Sequence, residues 1–446
     1  MQGGIVRRMS RLRIIALGFL IMIAVGTLLL MLPVSAADRS GTGFLTALFT
    51  AASACCVTGL IVTDTAIHWS FFGQLIILIL IQIGGLSFIS IGFGFSLFFQ
   101  RRITIRQRGM LRESMNIVDM NGIVRLAKLI LHGTFLFEGA GAVILTICFL
   151  PDMGFPRALW YGIFHSVSAF CNAGFDLMAV FGDSSFTAYN ASPVICLTLS
   201  ALILIGGIGF FVWEDLKEHK LHVKKYALHT KLVLSVSSIL TAGGAFLFFL
   251  LERNALFADM TPLQTFLNAL FCAVTPRTAG FNMIDTAALT DSSKLLTIVL
   301  MFIGGCPGST AGGIKVTTIA VLLLYLRSTY LRTDGVNVFR RRLGEGTVHK
   351  ATAVFSTNFF LVLLAVFLLS LFGDGSMMEI IFEAVSAIST VGMSLGITAG
   401  LSCAGKVIII LLMYLGRVGS LSFAMAFTDK KRLTHVKLPQ ETVNIG

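Results

Sequence analysis

The stretch Phe382–Ser394, F-E-A-V-S-A-I-S-T-V-G-M-S, is a short apolar run that ends in Ser389-Thr390-Val391-Gly392. It is too short to cross a bilayer, which takes roughly 20 apolar residues. A half-helix that stops at membrane depth strands its last carbonyls, and hydrocarbon tolerates this only where they line a watery cavity. That the stretch lies in a membrane follows from composition: 56% of the 446 residues are apolar and 13% charged, against about 25% charge in a soluble domain. The chain therefore reads as an all-α polytopic membrane protein.

A net charge of +12 would suggest nucleic acid in a soluble protein. Here 26 of the 34 Lys and Arg fall in the termini and in three loops that would share one side. Only Arg39, Arg157, Arg253, Lys294 and Lys406 fall on the other. The positive-inside rule then puts both termini in the cytoplasm. The eight Cys form no C-x-x-C pair and read as small hydrophobes rather than metal ligands or disulfides. The basic, then apolar, N-terminus lacks an A-x-A cleavage site before Pro33, so Leu12–Leu32 reads as a retained span rather than a signal peptide.

The chain repeats one unit four times: span, short outer half-helix, turn, returning span. The first unit (1–112) has Leu12–Leu32, Gly43–Cys55, the turn Cys56–Leu60 and Phe71–Phe99, followed by a loop with Arg101, Arg102, Arg106, Arg108 and Arg112. The second (113–227) has Val124–Leu150, Arg157–Phe170, Cys171–Phe175 and Ser192–Trp213, with Glu214–Tyr226 as a cytoplasmic helix extension. The third (228–349) has Leu228–Leu251, Pro262–Val274, Pro276–Phe281 and a long return from Leu295 to Tyr325. Inside that return, the glycines and the proline of Gly304–Gly313 should break the helix at mid-membrane. The fourth (350–446), after the basic Arg340-Arg341-Arg342 loop, has Thr352–Phe372, Ser376–Ile388, Ser389–Met393, Val407–Phe427 and a short basic tail. Eight spans result.

Gly59, Gly174, Gly280 and Gly392 recur at intervals of 105–115 residues, each after a half-helix. One such glycine could simply end a helix. Four in register point to backbone angles that turn carbonyls toward an axis, which a Cβ would oppose. Thr-Val-Gly is also the core of the carbonyl ladder that replaces water around K⁺ in potassium channels.

Together with V-T-G-L (57–60), C-N-A-G-F-D (171–176), T-P-R-T-A-G-F-N (275–282), S-T-V-G-M (389–393), G-G-C-P-G-S-T-A-G-G-I-K (304–315) and G-R-V-G (416–419), the chain resembles the Trk/Ktr/HKT superfamily of potassium transporters over essentially its whole length. Trk-type subunits usually carry an extra pair of N-terminal spans, so the likeness is closer to the Ktr-type membrane subunits of the TrkH/KtrB family. The resemblance implies a pseudo-fourfold pore within one chain, a homodimer in a prokaryotic plasma membrane, and K⁺ uptake that is often Na⁺-stimulated. It also implies a cytosolic octameric ring of KtrA-like RCK subunits as regulator. Nucleotide (ATP or ADP) or c-di-AMP would act only through that partner, and this chain needs no cofactor beyond the transported K⁺ and, as activator, Na⁺.

On this likeness the K⁺ ligands are main-chain carbonyls of Val57, Thr58 and Gly59; Asn172, Ala173 and Gly174; Thr278, Ala279 and Gly280; and Thr390, Val391 and Gly392. Side chains differ between units while glycine recurs, as a backbone ligand set requires. In plant relatives serine at the first glycine accompanies Na⁺ transport, so Gly59 implies K⁺ selectivity. The stretch Gly304, Gly305, Cys306, Pro307, Gly308, Ser309, Thr310, Ala311, Gly312, Gly313 has three readings. A P-loop fails because residue 314 is Ile where Lys is required; a packing kink stays open; the family favours an intramembrane gate below the filter. Arg417, a charge in the last span, would cost about 2.5–3.5 kcal/mol at mid-bilayer on insertion scales. By resemblance it lines the cavity under the filter as an electrostatic barrier and a candidate contact of the gate. Lys315 could serve similarly or cap a half-helix.

Glu138 has no obvious partner in sequence, and reads as a Na⁺ or H⁺ coupling site or as a buried hydrogen-bonded carboxyl. The outer acids Asp64, Asp176, Asp183 and Asp285 could concentrate cations at the mouth. Trp213–Tyr226 and Tyr325–Lys350 could dock a regulatory ring or lie on anionic headgroups. An ion-coupled symporter remains an alternative, though all four units run in the same sense. A membrane enzyme is a weaker one, since the chain has no paired carboxylates and no H-E-x-x-H or Ser/His/Asp spacing.

Overall fold

A computed structural model describes residues 11–86, 123–181 and 185–420. Unit one comprises α1 (Arg11–Leu30), α2 (Phe44–Cys56), the single turn α3 (Thr65–His68) and α4 (Phe71–Leu86). Unit two comprises α5 (Ile123–Met153), α6 (Phe155–Phe170), α7 (Pro193–Gly207) and α8 (Phe210–His219). Unit three comprises α9 (Leu228–Glu252), α10 (Pro262–Val274), α11 (Asp291–Ile303) and α12 (Val316–Tyr330). A hairpin of β1 (Asn337–Val338) and β2 (Arg341–Arg342) carries the basic loop, a small departure from an all-α chain. Unit four comprises α13 (Glu345–Phe372), α14 (Met377–Ser389) and α15 (Cys403–Val418).

By length and apolarity α1, α5, α9 and α13 can each cross a membrane alone. The short helices α2, α6, α10 and α14 pack on them and are defined by local signals. Capping boxes start α10 at Thr261/Gln264, with Pro262 in its first turn, and α14 at Ser376/Glu379. Each returning helix then packs on the short helix of the following unit: α4 on α6, α7 on α10, α11 on α14, and α15 back on α2. The four units thereby close into a circle, and the largest apolar core runs through that circle.

Glycines set how close these elements come. A Cβ on Gly84 would lie 2.1 Å from the Cys55 carbonyl oxygen, on Gly206 1.9 Å from that of Phe170, and on Gly416 2.0 Å from that of Ile388. Cys55, Phe170 and Ile388 each stand four residues before the recurring glycine of their unit. The returning helices of units one, two and four thus lay bare backbone against the ends of the short helices. In unit three the corresponding Gly304 and Gly305 begin the expected break, which runs from Ile303 to Val316.

The second return departs from the sequence expectation. Ser192–Trp213 is not one straight helix, because α7 stops at Gly207 and α8 leaves it at 94°. Gly209, at φ +101°, makes the corner, and a Cβ there would sit 2.6 Å from the Pro307 carbonyl oxygen. The bend makes room for the broken segment of unit three. Among the described residues four helices are long and apolar enough to cross a membrane, or five if this bent pair is one span. The remainder of the first return (to Phe99), the loop with Arg101–Arg112, Asp183, the end of the last return (to Phe427) and the basic tail lie outside the described residues.

Gly206 and Gly243 make a matched test, because nothing lies within 4 Å of a Cβ at Gly243. Gly243→Ala should stabilise the protein by up to about 1 kcal/mol through helix propensity. Gly206→Ala should destabilise it by about 1–3 kcal/mol through overpacking. Thermal unfolding of the detergent-solubilised variants should show opposite shifts; equal shifts would mean that the close approach at Gly206 has been misread.

Candidate functional site

The turns that follow α2, α6, α10 and α14 meet one another. The recurring glycines are all left-handed, with φ of +94° at Gly59, +70° at Gly174, +78° at Gly280 and +92° at Gly392. A Cβ on Gly59 would lie 2.4 Å from the Ala173 carbonyl oxygen, on Gly174 2.9 Å from that of Ala279, on Gly280 2.4 Å from that of Val391, and on Gly392 2.1 Å from that of Thr58. Each turn thus lies against the next in chain order, and the fourth returns to the first. The twelve residues singled out from the sequence are brought into a single closed ring.

Two residues before each glycine the chain is left-handed again, at Val57, Asn172, Thr278 and Thr390 (φ 57°, 57°, 75° and 51°). Such a conformation costs about 1–3 kcal/mol per residue and persists only where the surroundings enforce it. The enforcement comes from hydroxyl residues that sequence reasoning missed. The main-chain carbonyls of Ser53, Ser168, Thr275 and Ser386 accept N–H bonds from Thr58, Ala173, Ala279 and Val391 at 2.8–2.9 Å. Their hydroxyls pin the far side of each turn. Ser53 Oγ and Ser386 Oγ accept from the Gly59 and Gly392 N–H groups, both at 3.1 Å. Ser168 and Thr275 donate to the Phe175 and Phe281 carbonyls at 2.7 and 2.6 Å. The signal was present in the sequence as a hydroxyl residue six positions before the glycine in three units and five in the third.

Below the ring, Asn172 Nδ2 donates to the carbonyls of Ala169 (3.0 Å) and Ile203 (3.3 Å), while its Oδ1 accepts from the Thr278 hydroxyl at 3.2 Å. Arg277, next to Thr278, is buried; it donates to Ser237 Oγ at 2.9 Å and Thr241 Oγ1 at 3.1 Å and lies 3.8 Å from Cys306 Sγ. This buried guanidinium was also not anticipated.

The segment Gly304–Lys315 meets units two and four directly and is linked to unit one through Arg417. On unit two, Cys306 N–H donates to Gly207 O (3.1 Å), Thr310 N–H to Gly206 O (3.3 Å), and Phe210 N–H to Gly308 O (2.7 Å). Toward unit four, Gly312 packs on the Thr390 side chain and Gly313 on Ser389, positions where a Cβ would clash. Arg417 donates to the Thr310 carbonyl and to the carbonyls of Gly84 and Gly85 in unit one, the last at 2.9 Å. It therefore joins the segment to units one and four. Lys315 is the N-cap residue of α12 by position, but its Nζ makes no capping bond and instead donates to the Ala311 (2.7 Å) and Gly312 (2.9 Å) carbonyls. A helix, not a strand, precedes the segment, so the phosphate-loop reading has no structural context.

Glu138 does have partners: Gln82 Nε2 donates to its Oε2 at 3.2 Å, and Cys171 Sγ lies 3.8 Å from its Oε1. The outer acids that the structure describes serve the backbone, Asp64 capping α3, Asp176 accepting from Met178 N–H and Asp285 from Ala287 N–H. In the stretch after α7, Glu214 and Glu218 pair with Arg125 of α5, and Asp215 accepts from Ala227 N–H at 2.9 Å.

Residues 6–435 match the model of the TrkH cation transport protein family. The chain is 39% identical to the potassium/sodium uptake protein NtpJ of Enterococcus hirae, over 99% of this chain and 98% of the relative. It is 36% identical to the Ktr system potassium uptake protein B of Bacillus subtilis, over 97% and 96% of the two chains. The crystal structure of the potassium transporter TrkH from Vibrio parahaemolyticus superposes with a TM-score of 0.75 at 22% identity, covering 94% of this chain and 86% of that one, a likeness of fold. A family that moves ions leaves no place for the membrane-enzyme alternative. Model and relatives extend over nearly the whole length, and on that ground the chain belongs to the TrkH family of cation transport proteins.

Proposed function

We propose that the chain is the pore-forming subunit of a bacterial potassium uptake system and that its ring of four turns is the selectivity filter. The observation that carries this is the cyclic contact of Gly59, Gly174, Gly280 and Gly392 with the carbonyls of Ala173, Ala279, Val391 and Thr58. Stripping water from K⁺ must be offset by oxygen ligands at a similar distance, and backbone carbonyls supply them without stranding an anion in the membrane. The C-terminal, electronegative ends of α2, α6, α10 and α14 all lead into the ring, which favours a cation there. The hydroxyls of Thr58 and Thr390 are buried without a protein partner among the described residues, further oxygens at the same place.

Beneath the ring, the segment Gly304–Gly313, with Lys315 and Arg417, acts in this proposal as the gate. Its hydrogen bonds to unit two, its packing on Ser389 and Thr390 and the Arg417 guanidinium hold it across the path, and the positive charge repels cations that arrive below. Both termini are cytoplasmic, and a second copy of the chain and an RCK-type ring complete the system, the ring meeting the charged stretches 213–226 and 325–350.

Gly59→Ser puts a side chain at a left-handed φ against the Ala173 carbonyl. In a potassium-transport-deficient cell it should reduce the preference for K⁺ over Na⁺ at least about tenfold, equivalent to roughly 1.4 kcal/mol. Unaltered selectivity would remove the filter assignment. Arg417→Gln removes charge-assisted bonds that are typically worth about 1.5–3 kcal/mol each, and should raise K⁺ uptake roughly tenfold without a regulator. Deletion of 306–313 should act in the same direction. A fall in uptake with normal expression of either variant would refute the barrier.

A further inference from the structure

The four short helices differ at one buried position. One turn before the hydroxyls of Ser53, Ser168, Thr275 and Ser386 stand Thr50, His165, Cys272 and Glu383. In units two and four the residue there reaches past the ring glycine to the outgoing chain. Glu383 Oε2 accepts from the Ser394 hydroxyl at 2.8 Å and Oε1 from the Thr398 hydroxyl at 2.5 Å, and those two hydroxyls lie 2.9 Å apart. Ser394, two residues beyond Gly392, also accepts the Gly396 N–H at 3.0 Å. In unit two, His165 Nε2 accepts the Leu177 N–H at 3.0 Å, three residues beyond Gly174. Its Nδ1–H donates to the Tyr161 carbonyl at 2.7 Å, an arrangement that only one neutral tautomer satisfies. Thr50 and Cys272 offer shorter side chains at the same place in units one and three.

Because the units follow one another around the ring, two and four face each other across it. A carbonyl ligand set discriminates between cations through the number and spacing of its oxygens. A turn held only on its helix side is free to widen on its outgoing side. We infer that Glu383 and His165 are positioning residues for cation selection, which clamp the outgoing limbs of two opposite turns and limit dilation of the ring along that diagonal. They act through the backbone and the loop hydroxyls, without touching the ion. The inference rests on the proposed filter, and its test is built to separate the two.

The test compares K⁺ and Na⁺ uptake in a potassium-transport-deficient cell for Thr398→Val, Ser394→Ala, their double variant, Glu383→Gln and His165→Phe, with Gly59→Ser alongside. The two loop substitutions are small and leave the helix intact. The double variant should lower the preference for K⁺ over Na⁺ about tenfold, as expected when bonds to a buried carboxyl are lost, and each single variant should lower it less. A double variant that keeps the parental preference while Gly59→Ser loses it overturns the clamp and leaves the filter standing. Equal loss of K⁺ and Na⁺ uptake makes the bonds merely structural, which overturns it as well. If Gly59→Ser also keeps the parental preference, the filter falls and the clamp with it.

Discussion

A helix that ends inside a membrane leaves its last carbonyls without partners, and hydrocarbon offers none. Four short helices in this chain end within its apolar core, and most other features answer that one problem. The carbonyls of Ser53, Ser168, Thr275 and Ser386 take the N–H of the residue that follows the left-handed one, and the hydroxyls of the same residues secure the far side of the turn. The carbonyls of Cys55, Phe170 and Ile388 are met by bare glycine backbone from the returning helices. The strained backbone at Val57, Asn172, Thr278 and Thr390 is tolerable because it is held from both sides.

The fourfold pattern is strict in backbone and loose in side chains. Units one, two and four bring an unbroken helix as far as Gly84, Gly206 and Gly416, beside the ends of the short helices, and unit three breaks at the corresponding Gly304. The break makes demands on its neighbours. Unit two bends at Gly209 to receive Pro307, and unit four carries Arg417 directly after Gly416, where units one, two and three have a second glycine after Gly84, Gly206 and Gly304. The guanidinium therefore occupies a slot that elsewhere holds no side chain. One substitution at that slot and one kink thus set units four and two apart from an otherwise repeated arrangement.

The repeat, the short helices, the ring glycines and the break at Gly304–Gly313 were legible in the sequence because each rests on local chemistry: apolar length, cap residues, or glycine where a Cβ cannot go. What escaped depends on contacts between units. Nothing within Ser192–Trp213 demands a corner, since the bend at Gly209 answers a carbonyl about a hundred residues away. The partners of Glu138, Gln82 on α4 and Cys171 beyond α6, come from other helices and cannot be read from its own span. Arg277 escaped for the opposite reason: it stands inside the T-P-R-T-A-G-F-N motif, where attention went to the backbone rather than to a side chain bound to Ser237 and Thr241.

The electrostatics along the axis follow from the same construction. The ring gathers the electronegative ends of four helices, which favour a cation, and no carboxylate is needed among its twelve residues. Immediately beneath, Arg417 and Lys315 present two cations whose hydrogen bonds run to main-chain carbonyls: Thr310, Gly84 and Gly85 for the first, Ala311 and Gly312 for the second. Carbonyl dipoles orient these cations without cancelling their charge, as a carboxylate would. In the proposed pore, attraction at the ring and repulsion at these two cations would act in series. Three of the five carbonyls belong to the segment itself, so displacing that segment would take Lys315 with it and leave Arg417 on the Gly84 and Gly85 carbonyls of unit one. If the segment is the gate proposed above, its steric and electrostatic effects are coupled, because it supplies a carbonyl to Arg417 and both carbonyls to Lys315.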